Sequence, residues 1–119
     1  MTLEQFLTQL KQHPETIQFS QTMAVIEQHY DYQPTEFQNG DGDDALINAA
    51  GTNEGSCKIF AFAKRHNLSP ELTLHLFGDY YRQHVLESPE GKDHQNIRRF
   101  MQSGWNGIHF AADPLSEKN

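Results

Sequence analysis

The sequence predicts a mainly α-helical fold, a single compact domain of about five helices spanning residues 1–119. Three observations predict it. Apolar residues recur at helical spacing in five separate stretches. Start and stop residues flank those stretches where helix ends should lie. The strand-like segments are few and short, and most of them flank one long Gly/Asn/Asp-rich loop, so any sheet is limited to a small β hairpin there and a short strand near residue 109.

The first helix opens at Thr2-Leu3-Glu4-Gln5, a hydroxyl followed three positions later by Gln, which is a capping box. Leu3, Phe6, Leu7 and Leu10 share one face, and Pro14 stops the helix near His13. A second helix starts at Ser20 with Met23, Ile26 and Tyr30 in phase and Phe19 placed as a hydrophobic staple. Residues 31–54 carry Asn39-Gly40-Asp41-Gly42-Asp43, turn chemistry flanked by Thr35–Gln38 and Ala45–Asn48 as the arms of a hairpin.

Ser56 is placed to cap the third helix, with Ile59, Phe60 and Ala63 inward and Asn67 at its end. Ser69-Pro70-Glu71 restarts a fourth helix that the pattern carries to about Leu86. Gly78 inside it costs about 1 kcal/mol relative to Ala, which close packing or a kink would explain. Asp93 is placed to cap a fifth helix bearing Ile97, Phe100 and Met101, and Gly104 stops it. Ile108–Phe110 form a short strand, and the tail after Asp113 frays. The expected core includes Phe6, Leu10, Met23, Ile26, Phe60, Leu72, Leu76, Phe100 and Trp105.

A chain of 119 residues with one cysteine needs no disulfide and fits a reducing compartment. No apolar run approaches the ~20 residues that span a bilayer, and the N-terminus lacks a signal-peptide pattern. Net charge is −7, and residues 1–54 hold nine of the sixteen acids against Lys11 alone. That balance excludes the basic face of a nucleic-acid binder. A soluble monomer without cofactor, membrane or nucleic-acid partner is the expectation.

The most reactive position in principle is Cys57, where the loop Gly51-Thr52-Asn53-Glu54-Gly55-Ser56 meets a helix. Unpaired N–H groups and the helix dipole there favour a thiolate. His94 is the candidate base for a cysteine nucleophile, by analogy with papain-like sites. The Cys-to-His spacing is shorter than in those proteases, and no glutamine precedes Cys57 to form an oxyanion hole. The loop is not a P-loop, because the Lys-Ser/Thr order is wrong. Asn39, Asp41 and Asp43 alternate as in a calcium loop but lack its Gly and Glu positions. His75 and Asp79, at i and i+4, give two metal ligands where zinc needs three, so no metal site is assigned.

Four blocks carry a family resemblance. Gly51-x-Asn53-x-Gly55-Ser56-Cys57-Lys58-Ile59-Phe60, Leu76-Phe77-Gly78-x-Tyr80-Tyr81-Arg82, Asp93-His94-Gln95-Asn96-Ile97-Arg98 and Gly104-Trp105-x-Gly107-Ile108 resemble the signature of the HopJ type III effector family. The similarity runs from about residue 3 to 112. It implies a small bacterial virulence protein exported through a type III secretion system into host cells. It supplies no enzymatic activity and no catalytic residues.

Two functional classes stay open. One is a non-enzymatic protein that binds a host or bacterial protein or a ligand. The other is a small cytosolic enzyme or ligand-binding protein with a pocket around Cys57. In the second, Asn53, Ser56, Asp93, His94 and Asn96 close over that pocket, and Trp105 lines it. Because a capped helix begins at Thr2, where export signals are usually flexible, the bacterial cytoplasm and the host cell both remain destinations. The two polar helix starts, Gly55–Cys57 and Asp93–Asn96, are expected to pack together, since polar groups drawn toward a core need partners.

Overall fold

Helix α3, Glu54–Arg65, carries the core, with Ile59, Phe60, Ala61, Phe62 and Ala63 all buried in succession. Five consecutive buried residues cover every side of a helix, so other elements must wrap it completely. The computed structural model, which describes residues 1–118, shows how they do. On one side Phe60 meets Phe37, Phe77, Phe100 and Trp105 at ring-centroid distances of 4.9–6.5 Å. On another, Phe62 meets Phe6 and Tyr30, both at 6.0 Å. Such pairs add to the burial of large apolar area.

Around α3 lie α1 (Leu3–Gln12), α2 (Phe19–His29), α4 (Pro70–His75) and α5 (Gln95–Ser103). Strands β2 (Phe37–Asn39), β3 (Leu46–Asn48) and β4 (His109–Phe110) form an antiparallel sheet in the order β3-β2-β4. The hairpin pairs Phe37 with Asn48 and Asn39 with Leu46. Its connection contains a short 3-10 turn at Gly42–Asp44, so the Gly/Asn/Asp-rich stretch is divided rather than one long loop. Of the expected core, Phe6, Leu10, Ile26, Phe60, Leu76 and Phe100 are buried, while Met23, Leu72 and Trp105 pack against it partly exposed. No helix among the described residues is long and apolar enough to cross a membrane.

Three expectations need correction. The tail does not fray at Asp113. Strand β5 (Leu115–Glu117) pairs antiparallel with β1 (Tyr30–Tyr32), and Leu115 is buried. Arg65 anchors it by donating to the Leu115 carbonyl at 3.2 Å and to Asp113 at 2.9 Å. Asn119, part of the same expectation, lies outside the described residues. The helix starts also differ. Helix α2 opens at Phe19 after Gln18, α3 after Asn53 rather than Ser56, and α5 after His94 rather than Asp93.

The fourth helix is broken. Helix α4 ends at His75, and after a turn the chain continues as a π-helix, Tyr80–Val85, with Leu86 N–H donating five residues back to the Tyr81 carbonyl at 3.0 Å. Gly78 causes the break. It sits at φ +61, and a Cβ there would lie 2.6 Å from the backbone nitrogen of Phe19. Both a kink and a close approach thus explain the glycine. Thr22, fully buried, donates to the Leu76 carbonyl at 2.9 Å, satisfying an acceptor released at the break. Arg82 then spans the gap to the α1–α2 connection, donating to the carbonyls of Pro14 and Ile17.

Candidate functional site

The starts of α3 and α5 are built alike. Asn53 and His94, the residues preceding each helix, both sit at φ 49 in the left-handed region. Asn and His are among the side chains that tolerate this conformation. Neither caps its helix with its side chain. Asn53 instead donates to Asn48 Oδ1 at 2.6 Å.

That bond opens a buried amide network. Asn48 and Asn96 pair reciprocally, Asn48 Nδ2 to Asn96 Oδ1 at 3.1 Å and Asn96 Nδ2 to Asn48 Oδ1 at 3.0 Å. Asn39 Nδ2 donates to Asn96 Oδ1 at 3.0 Å and to the Asn96 carbonyl at 2.8 Å. Asn39, Asn48 and Asn96 are 0%, 2% and 6% exposed. Buried amides of this kind hold an arrangement only while their donors are met. Four elements are thereby locked: β2, β3 and the first turns of α3 and α5. Of the three asparagines of residues 39–53, Asn39 bonds to Asn96, and Asn48 bonds to both Asn96 and Asn53.

Above the network lies an open cleft of about 430 Å³, bordered by Phe19, Asn53, Ser56, Tyr80, His94 and Asn96. Gly55 also borders it, and a Cβ there would press on the Phe19 ring at 3.1 Å. The first N–H groups of α3 and α5 have no intrahelical acceptors, so both helix starts offer donors toward this region. At its rim, Tyr80 contacts Phe19 edge-on at 4.9 Å and lies 5.3 Å from both His84 and His94.

The family model described as HopJ type III effector protein matches residues 3–115 of this chain. The chain belongs to the HopJ family. It is also similar to a solved structure, that of the unknown-function protein VPA0580. The two are 51% identical, with a TM-score of 0.94 over 99% of this chain and 95% of the other. No curated protein matches the chain.

In this HopJ-family chain, the sequence-selected residues fall into two groups. Asn53, Ser56, His94 and Asn96 come together at the cleft. Cys57, Asp93 and Trp105 do not border it. Cys57 is fully buried, with its thiol directed to the Thr35 carbonyl at 3.7 Å. Burial pushes the thiol pKa up, outweighing the lowering by contacts with Tyr32 and Thr35. The helix-start effect that favours a thiolate is therefore overridden. Neighbouring Tyr32 is pushed up as well, chiefly by burial and then by Cys57 and Glu54.

Asp93 turns to Arg98 instead. Arg98 Nη2 reaches Asp93 Oδ1 at 2.8 Å, and the same guanidinium holds the carbonyls of Asp93 and Ser88 at 2.6 and 2.8 Å. That hydrogen bond holds the Asp93 carboxyl below its usual range. Trp105 donates to the Leu68 carbonyl at 2.9 Å and packs edge-on against Phe100 at 5.1 Å, a fold-pinning role on another face. His75 and Asp79 lose their shared helical face because α4 ends between them. Among the described residues, no group of three or more His, Cys, Asp or Glu side chains is arranged to hold a metal.

Sequence reasoning missed His84 as a cleft neighbour and Asn39 and Asn48 as its supports, and it left Tyr80 out of the residues assigned to the pocket. Tyr80 stands in the block Leu76–Arg82 that carries the resemblance, which was the available signal. The asparagine spacing, 39, 48, 53 and 96, has no period and offered none.

Proposed function

We propose that this HopJ-family protein acts by binding a small polar ligand in the cleft between the starts of α3 and α5, rather than by cysteine catalysis. One observation carries the reading: Asn53, Ser56 and His94 border one open cleft while Cys57 is sealed beneath, facing Thr35. The site offers donors from two helix starts, imidazole and phenol edges, and an aromatic wall from Phe19 and Tyr80. Such a lining suits a ligand with acceptor groups and a flat or apolar body. The family description supports an effector setting in a host cell, and binding without turnover serves equally well in the bacterium.

The test is a titration of ¹⁵N-labelled protein with inorganic phosphate and a panel of small carboxylates and amides. Shifts concentrated on Asn53, Gly55, Ser56, His94 and Gln95 are expected for at least one of them. Shifts confined to other faces, or none at all, defeat the reading.

A second reading, docking on a host or bacterial protein, draws on Leu86 and Met101. These large apolar side chains are 47% and 44% exposed and border one groove of about 550 Å³ between the π-helix and α5. Paired substitutions Leu86→Ser and Met101→Ser would abolish such docking and leave the cleft titration unchanged.

A further inference from the structure

We propose that His84 and His94 form a two-histidine site for a divalent transition cation of the zinc class at the rim of the cleft. The inference goes beyond the cleft reading and does not depend on it. His84 Nδ1 and His94 Nε2 lie 3.3 Å apart. Two nitrogens bound at ~2.05 Å to one tetrahedral ion are separated by ~3.3 Å, so the unliganded spacing already equals the liganded one.

The rings are held for this. Their centroids are 5.4 Å apart and tilted by 44°, with Tyr80 5.3 Å from each. His94 is fixed by the left-handed turn ahead of α5. His84 is carried by the π-helix, whose widened turn alters the direction an α-helix would give it. The break at Gly78 and the start of α5 are thus the two features that bring the imidazoles together.

Access and donor type agree with a cation. His84 is exposed and the His94 side chain is 27% exposed. Asp93 Oδ2 lies 3.8 Å from His94 Nε2, while its other oxygen is occupied by Arg98. Two imidazoles fall short of the three protein ligands of a structural or catalytic zinc centre, but they are donors suited to exchangeable binding of zinc, copper or nickel rather than magnesium or calcium. Water fills the remaining positions, which makes the ion exchangeable. Without an ion the facing nitrogens share a hydrogen bond; the ion replaces that proton, so in the bound form each ring carries its proton on the far nitrogen, His84 Nε2 and His94 Nδ1.

The experiment is calorimetric titration of the tag-free full chain with zinc chloride, with no cleft ligand present. It is repeated for His84→Asn, His94→Asn and the control His109→Asn at the exposed position of strand β4. His94→Asn keeps a residue that tolerates the left-handed turn, and thermal melts confirm that each variant folds. One zinc per chain is expected, weakened about 10-fold or more by either rim substitution and unchanged by the control. In ¹⁵N imidazole spectra the signals of His84 Nδ1 and His94 Nε2 should move together. Equal affinity in all variants, loss with His109→Asn, or no saturable binding overturns the site. A negative cleft titration with positive zinc binding would sink only the cleft reading, and the converse only this one.

Discussion

Removing Asn48 tests the amide network that holds the two helix starts. Asn48→Ala deletes three hydrogen bonds of 2.6–3.1 Å, to Asn53 and Asn96, and a longer one of 3.4 Å to the Phe37 carbonyl. At about 1 kcal/mol net per bond, the loss is about 3 kcal/mol. Much of it falls on Asn96 Nδ2, which is left buried without that acceptor. Asn96→Ala also deletes three side-chain bonds, to Asn39 and twice to Asn48, for a similar cost of about 3 kcal/mol. Two of these bonds are common to both variants. The double variant should therefore cost about 4 kcal/mol rather than about 6, a coupling of about 2 kcal/mol. Urea denaturation followed by far-UV circular dichroism measures all four species, with a common m-value as the check on two-state behaviour. Costs that simply add within about 0.5 kcal/mol would mean the reciprocal pair contributes nothing, and the network would not be what positions the cleft.

Gly78→Ala should destabilise by about 2–4 kcal/mol, combining the left-handed backbone with a clash against Phe19 N that no rotamer relieves; a near-neutral urea midpoint would refute the close approach. Leu115→Ala should cost about 2–4 kcal/mol because β5 is part of the core, whereas an unpaired tail would show no change. His66 and His75 are held below the ordinary imidazole value, each chiefly by burial and then by Arg65 and Arg82 respectively. The folded state then binds fewer protons than the unfolded one, so their contribution is complete above about pH 6.5 and lost as pH falls through the lowered values. Melting temperature should decline over that range, and a flat profile between pH 7.5 and 5 would contradict it. Cys57 should react with iodoacetamide at pH 7.5 at least ~100-fold slower than a free thiol, limited by local opening; a rate equal to glutathione's would restore it as a nucleophile.

Much of the fold was legible because it rests on local physics. The Thr2–Gln5 capping box forms as the residues require, with Gln5 N–H donating to Thr2 Oγ1 at 3.0 Å and Thr2 N–H to Gln5 Oε1 at 2.9 Å. Ser69 caps α4 through Leu72 N–H at 3.2 Å. Gly104 ends α5 at φ 59. The hairpin arms were readable from the turn residues between them. The tail was not, because β5 is stabilised by β1, over eighty residues away in sequence, and by Arg65. Leu115 alone within a short polar segment carries no period to detect.

The candidate site divides along the same line. From the sequence alone came the two polar helix starts, the choice of Asn53, Ser56, His94 and Asn96, and the single cysteine, because each is a property of residue type beside a helix boundary. Only the tertiary structure decided which of them share a cleft. Successive residues on a helix point about 100° apart, so Ser56 borders the cleft while Cys57 turns into the core toward Thr35. Likewise no spacing rule links Asn39, Asn48 and Asn96, or His84 and His94. Their partners are set by how β2, β3, the π-helix and α5 pack, and that packing is fixed by apolar burial around α3 and by the close approach at Gly78.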